Sequence, residues 1–293
     1  MSVFPADPHE FDHLTAEAAE WGLGGALPPV RRISAGPVSA LRWGSAAVDA
    51  VLLHGVGLNA HTFDATVLGL AARAEPGVVA VDLPGHGDSA WREDADYRPR
   101  SMADQVADLI STCAVGPVRL VGQSLGGLTA IALAGRRPEL VSSLVIVDIT
   151  PGLRTGDAAQ VQNFLAVTEF ASREEIVDRA IAFGLGASRE ALERGVALNT
   201  RVRSDGVVVF KHHFANLGDL RPAVADLAEL WPDLEGLKVP VTLVRAEAGF
   251  LSPELVEEFR RRVPSAQVIQ VPGGHNVQEQ QPLLLAEVIA SAM

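Results

Sequence analysis

Short β-rich apolar runs alternate with amphipathic stretches along much of the chain. The runs lie at Val38–Trp43, Ala50–Leu53, 78–81, 118–121 and 144–147. Most are apolar on consecutive positions, which suits strands covered on both faces. Helical patterns fall at 64–74, 101–113 and 125–137. This alternation predicts a mainly parallel sheet with right-handed crossovers. The pattern changes over 152–236, which reads as mostly helical, with glycines at 184, 186 and 195. Within it, Ser172-x-x-Glu175 predicts a capping box opening a helix toward Phe183. Asp205-Gly206 predicts a turn into a short strand over 207–210. The alternation then resumes with a strand at 239–244, a helix at Pro253–Arg262, a strand at 266–271 and a helix at 282–290. One α/β domain, formed by 31–151 and 237–293, is therefore expected to be interrupted by a helical insertion at 152–236. Residues 1–30 read as an N-terminal extension, with a short helix over 11–21 broken by 22–29. A docking arm and a loosely packed tail are both compatible with that stretch, in which no chemistry is read.

Composition narrows the function classes. Hydrophobic residues make up 48% of the 293 and charged residues 20%, an ordinary globular balance. Lys and Arg number 24 against 36 Asp and Glu, a formal charge of −12. That balance argues against a nucleic-acid partner or an anionic membrane surface, both of which need a basic footprint. The single cysteine, Cys113, excludes a disulfide framework and a cysteine-rich metal site, and reads as a small buried side chain. No apolar run approaches the ~18 residues of a membrane span. The first ten residues lack the basic start and apolar stretch of a signal peptide, so a cytoplasmic location is expected.

The strongest chemical signal is Gly122-Gln123-Ser124-Leu125-Gly126, directly after one strand and before a helix. A serine on so sharp a turn holds a strained backbone, and glycines two positions either side give it room. The turn lifts the hydroxyl above the sheet and sets the Leu125 amide at a helix N-terminus, where it can stabilise an oxyanion. His54-Gly55-Val56-Gly57 follows the strand at Ala50–Leu53, and the Val56 amide can be aimed at the same oxyanion; His54 itself reads as structural. Asp82-Leu83-Pro84-Gly85-His86-Gly87-Asp88-Ser89 reads as a rigid loop with a hydrogen-bonded His86. Gly273-Gly274-His275 follows a strand near the C-terminus, and a histidine released there is placed to act as a general base. In the insertion, His212 and His213 are adjacent on a strand end and point to opposite sides, so they do not form a two-ligand metal site. Phe164, Phe170, Phe183 and Trp231 read as apolar packing residues of the insertion.

Taken in order, His54-Gly-x-Gly, Asp82-x-Pro-Gly-His-Gly-x-Ser89, Gly122-x-Ser-x-Gly126 and Gly274-His275 resemble the α/β-hydrolase fold family, across roughly 38–151 and 237–293. The resemblance implies a mostly parallel central sheet flanked by helices, with a helical cap inserted after strand 6. It maps the nucleophile to Ser124 and the base to His275. A serine at 124 argues against the dehalogenase and epoxide-hydrolase branches, which carry aspartate there. The acid departs from the pattern, because Gly249 stands where an aspartate is expected. Two candidates follow: Asp148, at the end of the strand 144–147, and Glu247, the carboxylate left in the usual loop. The implied activity is a cofactor-independent serine hydrolase, with no metal, acting on a carboxylic ester or lactone as its small-molecule substrate. Carbon–carbon bond hydrolysis of a diketone and a non-turnover small-molecule receptor are the alternatives on the same scaffold.

Overall fold

The computed structural model describes residues 8–153, 164–186, 188–217 and 226–292. An eight-stranded sheet runs through the molecule, built from β1 (Val30–Ala35), β2 (Val38–Trp43), β3 (Ala50–Leu53), β4 (Val78–Asp82), β5 (Val118–Gln123), β6 (Val141–Val147), β10 (Val241–Ala248) and β11 (Gln267–Gly274). The spatial order is β1-β2-β4-β3-β5-β6-β10-β11. β2 is antiparallel to both its neighbours, and the remaining pairs are parallel.

The consecutive apolar positions have the predicted cause. β3 and β4 are buried at every residue, and successive side chains enter opposite layers. Val51, Leu53, Val79 and Val81 join one layer with α3 (Pro99–Cys113) and α4 (Leu125–Arg136). Leu52 and Ala80 join the other layer, with α1 (Leu14–Glu20), α2 (Asp64–Ala71) and the C-terminal helix Pro282–Ser291. Cys113, the last residue of α3, is only half-buried.

Three elements differ from the sequence reading. β1 was not anticipated, because Arg31 and Arg32 interrupt its apolar character; it is an edge strand whose half-exposed positions tolerate both. β10 continues to Ala248, through residues read as loop, with a register shift against β11 between Ala246 and Ala248. The segment 152–236 also carries more strand than its mostly helical pattern predicts. Besides α5 (Arg173–Ala182) and α6 (Arg189–Asn199), it folds β7 (Glu169–Phe170), β8 (Thr200–Val202) and β9 (Val208–Phe210) into a small antiparallel sheet in the order β7-β9-β8. The Ser172 hydroxyl accepts from the Glu175 amide at 3.2 Å, capping α5, while Glu175 accepts from Ala171 N rather than from Ser172. The expectations for 154–163 and 218–225 lie outside the described residues.

The described part of the N-terminal segment is docked. Leu14 and Ala18 are buried against the core layer that contains Phe63 and Val67. Arg32 donates to both Glu10 and Asp82, and His13 Nε2 lies 2.9 Å from Asp64 Oδ2.

Candidate active site

The rim above the C-terminal ends of the parallel strands collects the candidate residues, as expected for an open α/β sheet. Ser124 sits between β5 and α4 with φ +52°, a conformation a non-glycine residue holds only under strain. Its amide donates to Val147 O at 3.1 Å, tying the turn to the end of β6. Both flanking glycines are required sterically. A Cβ at Gly122 would meet the carbonyl oxygen of Gly126 at 2.3 Å, and one at Gly126 would meet that of Leu53 at 2.2 Å. A side chain at either position would force α4 away from the strands.

Asp148 follows β6 directly, is fully buried, and has φ +50°. Its Oδ2 lies 2.8 Å from Nδ1 of His275. Two backbone amides also converge on the carboxylate: Ala246 N on Oδ1 at 3.0 Å and Phe250 N on Oδ2 at 2.8 Å. Asp148 is thus held from β10 while it holds His275. Glu247, the other candidate acid, lies at the register shift of β10, is exposed, and accepts from Gln270 Nε2 at 3.1 Å. The residue at 249 has a steric explanation: a Cβ there would fall 2.1 Å from Asp148 Oδ2. The carboxylate of 148 occupies the space that a side chain at 249 would need.

Other residues position His275 and carry no recognisable sequence signal. The Phe250 ring stacks on its imidazole, with centroids 3.7 Å apart. Gln123, completely buried, donates to the carbonyl of His275 at 3.2 Å. Gln280 accepts from the amide of Gly274 at 2.6 Å. Among the described residues the Ser124 hydroxyl makes no hydrogen bond, to His275 Nε2 or to any other group.

Leu125 is the first residue of α4, where an amide has no intrahelical acceptor. Val56 lies in the turn that Leu58 N closes onto Gly55 O at 3.3 Å. That turn is braced from two sides. Asn199, at the end of α6, donates to Gly57 O. His54 accepts from Leu83 N through Nε2 at 3.0 Å, which leaves Nδ1–H to donate to Gly55 O at 2.7 Å. With both nitrogens used and burial dominating, its pKa is pushed down to about 4. His54 is therefore a neutral strut between two loops. His86 is buried beside it, with Nδ1 3.2 Å from Pro84 O. His212 accepts from Ala215 N, while His213 is paired with the Tyr97 hydroxyl at 2.6 Å and stacks on Trp91; both are buried.

A cavity of about 500 Å³ opens beside this rim. Leu58 and Asn276 bring it next to the Val56 turn and to His275, and Phe164, Ile176 and Leu192 give it an apolar wall from the inserted segment. Glu17 and other residues of the N-terminal helix close another side.

Fold and site together define a hydrolase of the α/β type, and comparison with known proteins agrees. A profile of the alpha/beta hydrolase family matches residues 50–288, and the chain belongs to that family. The esterase Rv0045c of Mycobacterium tuberculosis is 39% identical over 97% of this chain and 95% of its own. A structure of that esterase, from work on its inhibition by transition metals, superposes with a TM-score of 0.85, covering 98% of each chain at 38% identity. The 2-(acetamidomethylene)succinate hydrolase of Mesorhizobium japonicum is 28% identical over 82% of this chain and 86% of its own. Kinship with an esterase along nearly the full length supports a hydrolase activity. No described helix is long and apolar enough to cross a membrane.

Proposed function

We propose that the chain is a cofactor-independent serine esterase, with Ser124 as nucleophile, His275 as base and Asp148 as the acid. The observation that carries this reading is the 2.8 Å contact between His275 and a fully buried Asp148, just past the end of the strand beside a serine held at positive φ. His275 Nε2 takes the proton of the Ser124 hydroxyl, and Oγ attacks the carbonyl carbon of the ester. The amides of Leu125 and Val56 stabilise the tetrahedral oxyanion. His275 then gives the proton to the departing alkoxide, leaving an acyl-enzyme. Water activated by the same ring releases the acid and restores the serine. Asp148 fixes the tautomer with Nδ1–H toward the carboxylate and stabilises the imidazolium formed in each step. Rotation of the serine side chain, or the arrival of substrate, closes the link between Oγ and Nε2; such hydrogen bonds commonly tighten only in the reacting complex.

The apolar wall of the cavity suits a mid-sized acyl or aromatic ester as a small-molecule substrate. Fluorophosphonate labelling followed by peptide mapping, with a panel of p-nitrophenyl esters and lactones, tests the assignment. Label on Ser124 with steady ester turnover is expected. Turnover retained in Ser124→Ala would refute the nucleophile, and labelling without turnover would favour a receptor.

A further inference from the structure

A second group of side chains beside the cavity has the composition of a metal site. His13 stands at the N-cap position of α1, Asp64 opens α2, and His61 lies on the 3-10 turn Ala60–Phe63 that leads into α2. Their donor atoms all lie within 4.8 Å of one another. Asp64 Oδ2 is 2.9 Å from His13 Nε2 and 2.7 Å from His61 Nδ1. Around a tetrahedral zinc ion, ligands bound at ~2.0–2.2 Å sit about 3.3 Å apart, so these contacts need to open by only about half an ångström.

Three further observations point to a cation. Asp64 Oδ1, on a side chain that is 1% exposed, has no hydrogen-bond partner. Glu17 Oε2, also buried without a hydrogen-bond partner, lies 3.6 Å from His13 Nε2, one turn further along α1; its other oxygen receives Arg194 at 3.4 Å. His61 Nε2 faces the Glu10 carboxylate at 3.1 Å. A carboxylate behind the outer nitrogen of a ligating imidazole fixes its orientation and raises its basicity, the usual support of a metal-bound histidine.

We propose that His13, His61 and Asp64, with Glu17 as a fourth donor, bind one divalent transition-metal ion of the zinc type, which clamps the N-terminal helix to the core beside the cavity. Two imidazoles and two carboxylates favour zinc, cobalt, nickel or copper over magnesium or calcium. Binding displaces the ring protons that now join His13 and His61 to Asp64. The ion takes no part in the serine chemistry, and the site does not depend on the esterase reading. Because its ligands come from two segments, occupancy stabilises their contact by mass action.

Calorimetric titration of the tag-free full-length chain with zinc chloride tests the proposal, with a thermal melt and the visible spectrum of the cobalt-loaded protein. One ion per chain, with a micromolar or tighter Kd, is expected, together with a zinc-dependent rise in Tm and the intense visible absorption of tetrahedral cobalt. Magnesium should produce none of these. His13→Gln, at the edge of the site, should weaken zinc binding by tenfold or more and remove the Tm rise. Glu10→Gln should weaken binding by about tenfold. Wild-type protein that takes up no zinc would overturn the proposal. So would stoichiometric binding that survives His13→Gln but is lost in His275→Ala, since the ion would then sit on the catalytic ring.

Discussion

Residues 148, 249 and 247 form a small steric problem with one solution. The space beside His275 admits one carboxylate, and Asp148 fills it from β6 while the missing side chain at Gly249 leaves the space open. Asp148→Asn should keep the fold and lower kcat by on the order of a hundred- to ten-thousandfold, because an amide no longer holds the productive imidazole tautomer. Glu247→Gln should remain close to wild type, since that exposed side chain is paired with Gln270. Steady-state kinetics of the two variants on one ester, side by side, check the assignment; activity lost only in the second would reverse it. Gly249→Ala should lower kcat as well, by pushing the Asp148 carboxylate off Nδ1, and circular dichroism should show the chain still folded.

At the level of elements, the chain announced its buried strands and the long helices between them, and concealed the edges. Consecutive apolar residues in β3 and β4 are visible because burial on both faces leaves no polar alternation. β1 was invisible because an edge strand with one partner can carry Arg31 and Arg32. The serine turn was legible because its glycines are forced by backbone contacts that any sequence making this turn must respect. The supports of His275 were not: Phe250, Gln123 and Gln280 meet it through tertiary packing, and no local spacing encodes that. Between elements, His54 joins the loops after β3 and β4 as a neutral ring. Its folded pKa of about 4 lies below that of an unfolded histidine, so on acidification the unfolded chain takes up this proton first. The stability it contributes is complete above about pH 6.5 and is lost as pH falls toward 4, roughly 3 kcal/mol in all. His212, buried and held down to about 3, acts in the same direction. Urea unfolding between pH 7 and 4.5 should show a steeper decline in the wild type than in His54→Gln.

For the molecule as a whole, the N-terminal segment belongs to the packing of the core. Leu14 is 2% exposed and shares a cluster with Trp43, Phe63 and Ile289. Leu14→Ala should therefore cost about 2–5 kcal/mol, the range for a buried leucine, and denaturant melts would reveal it. The sequence showed a helix there but not its destination. His13 meets Asp64 only when α1 is laid against α2, and Glu17 meets Arg194 only across to α6, so no linear pattern discloses these contacts.

The way position 148 fills the gap at 249 also constrains how such a molecule can be rewired. Transferring the acid from one strand to its neighbour takes two coupled exchanges, because either alone leaves the imidazole with two crowded carboxylates or with none. An enzyme carrying Asp148→Gly together with Gly249→Asp should outperform both single variants, and the positive φ at 148 is one that glycine adopts freely. Lineages that differ in the strand bearing this acid are then separated by a valley in fitness, crossed only when the second exchange closely follows the first.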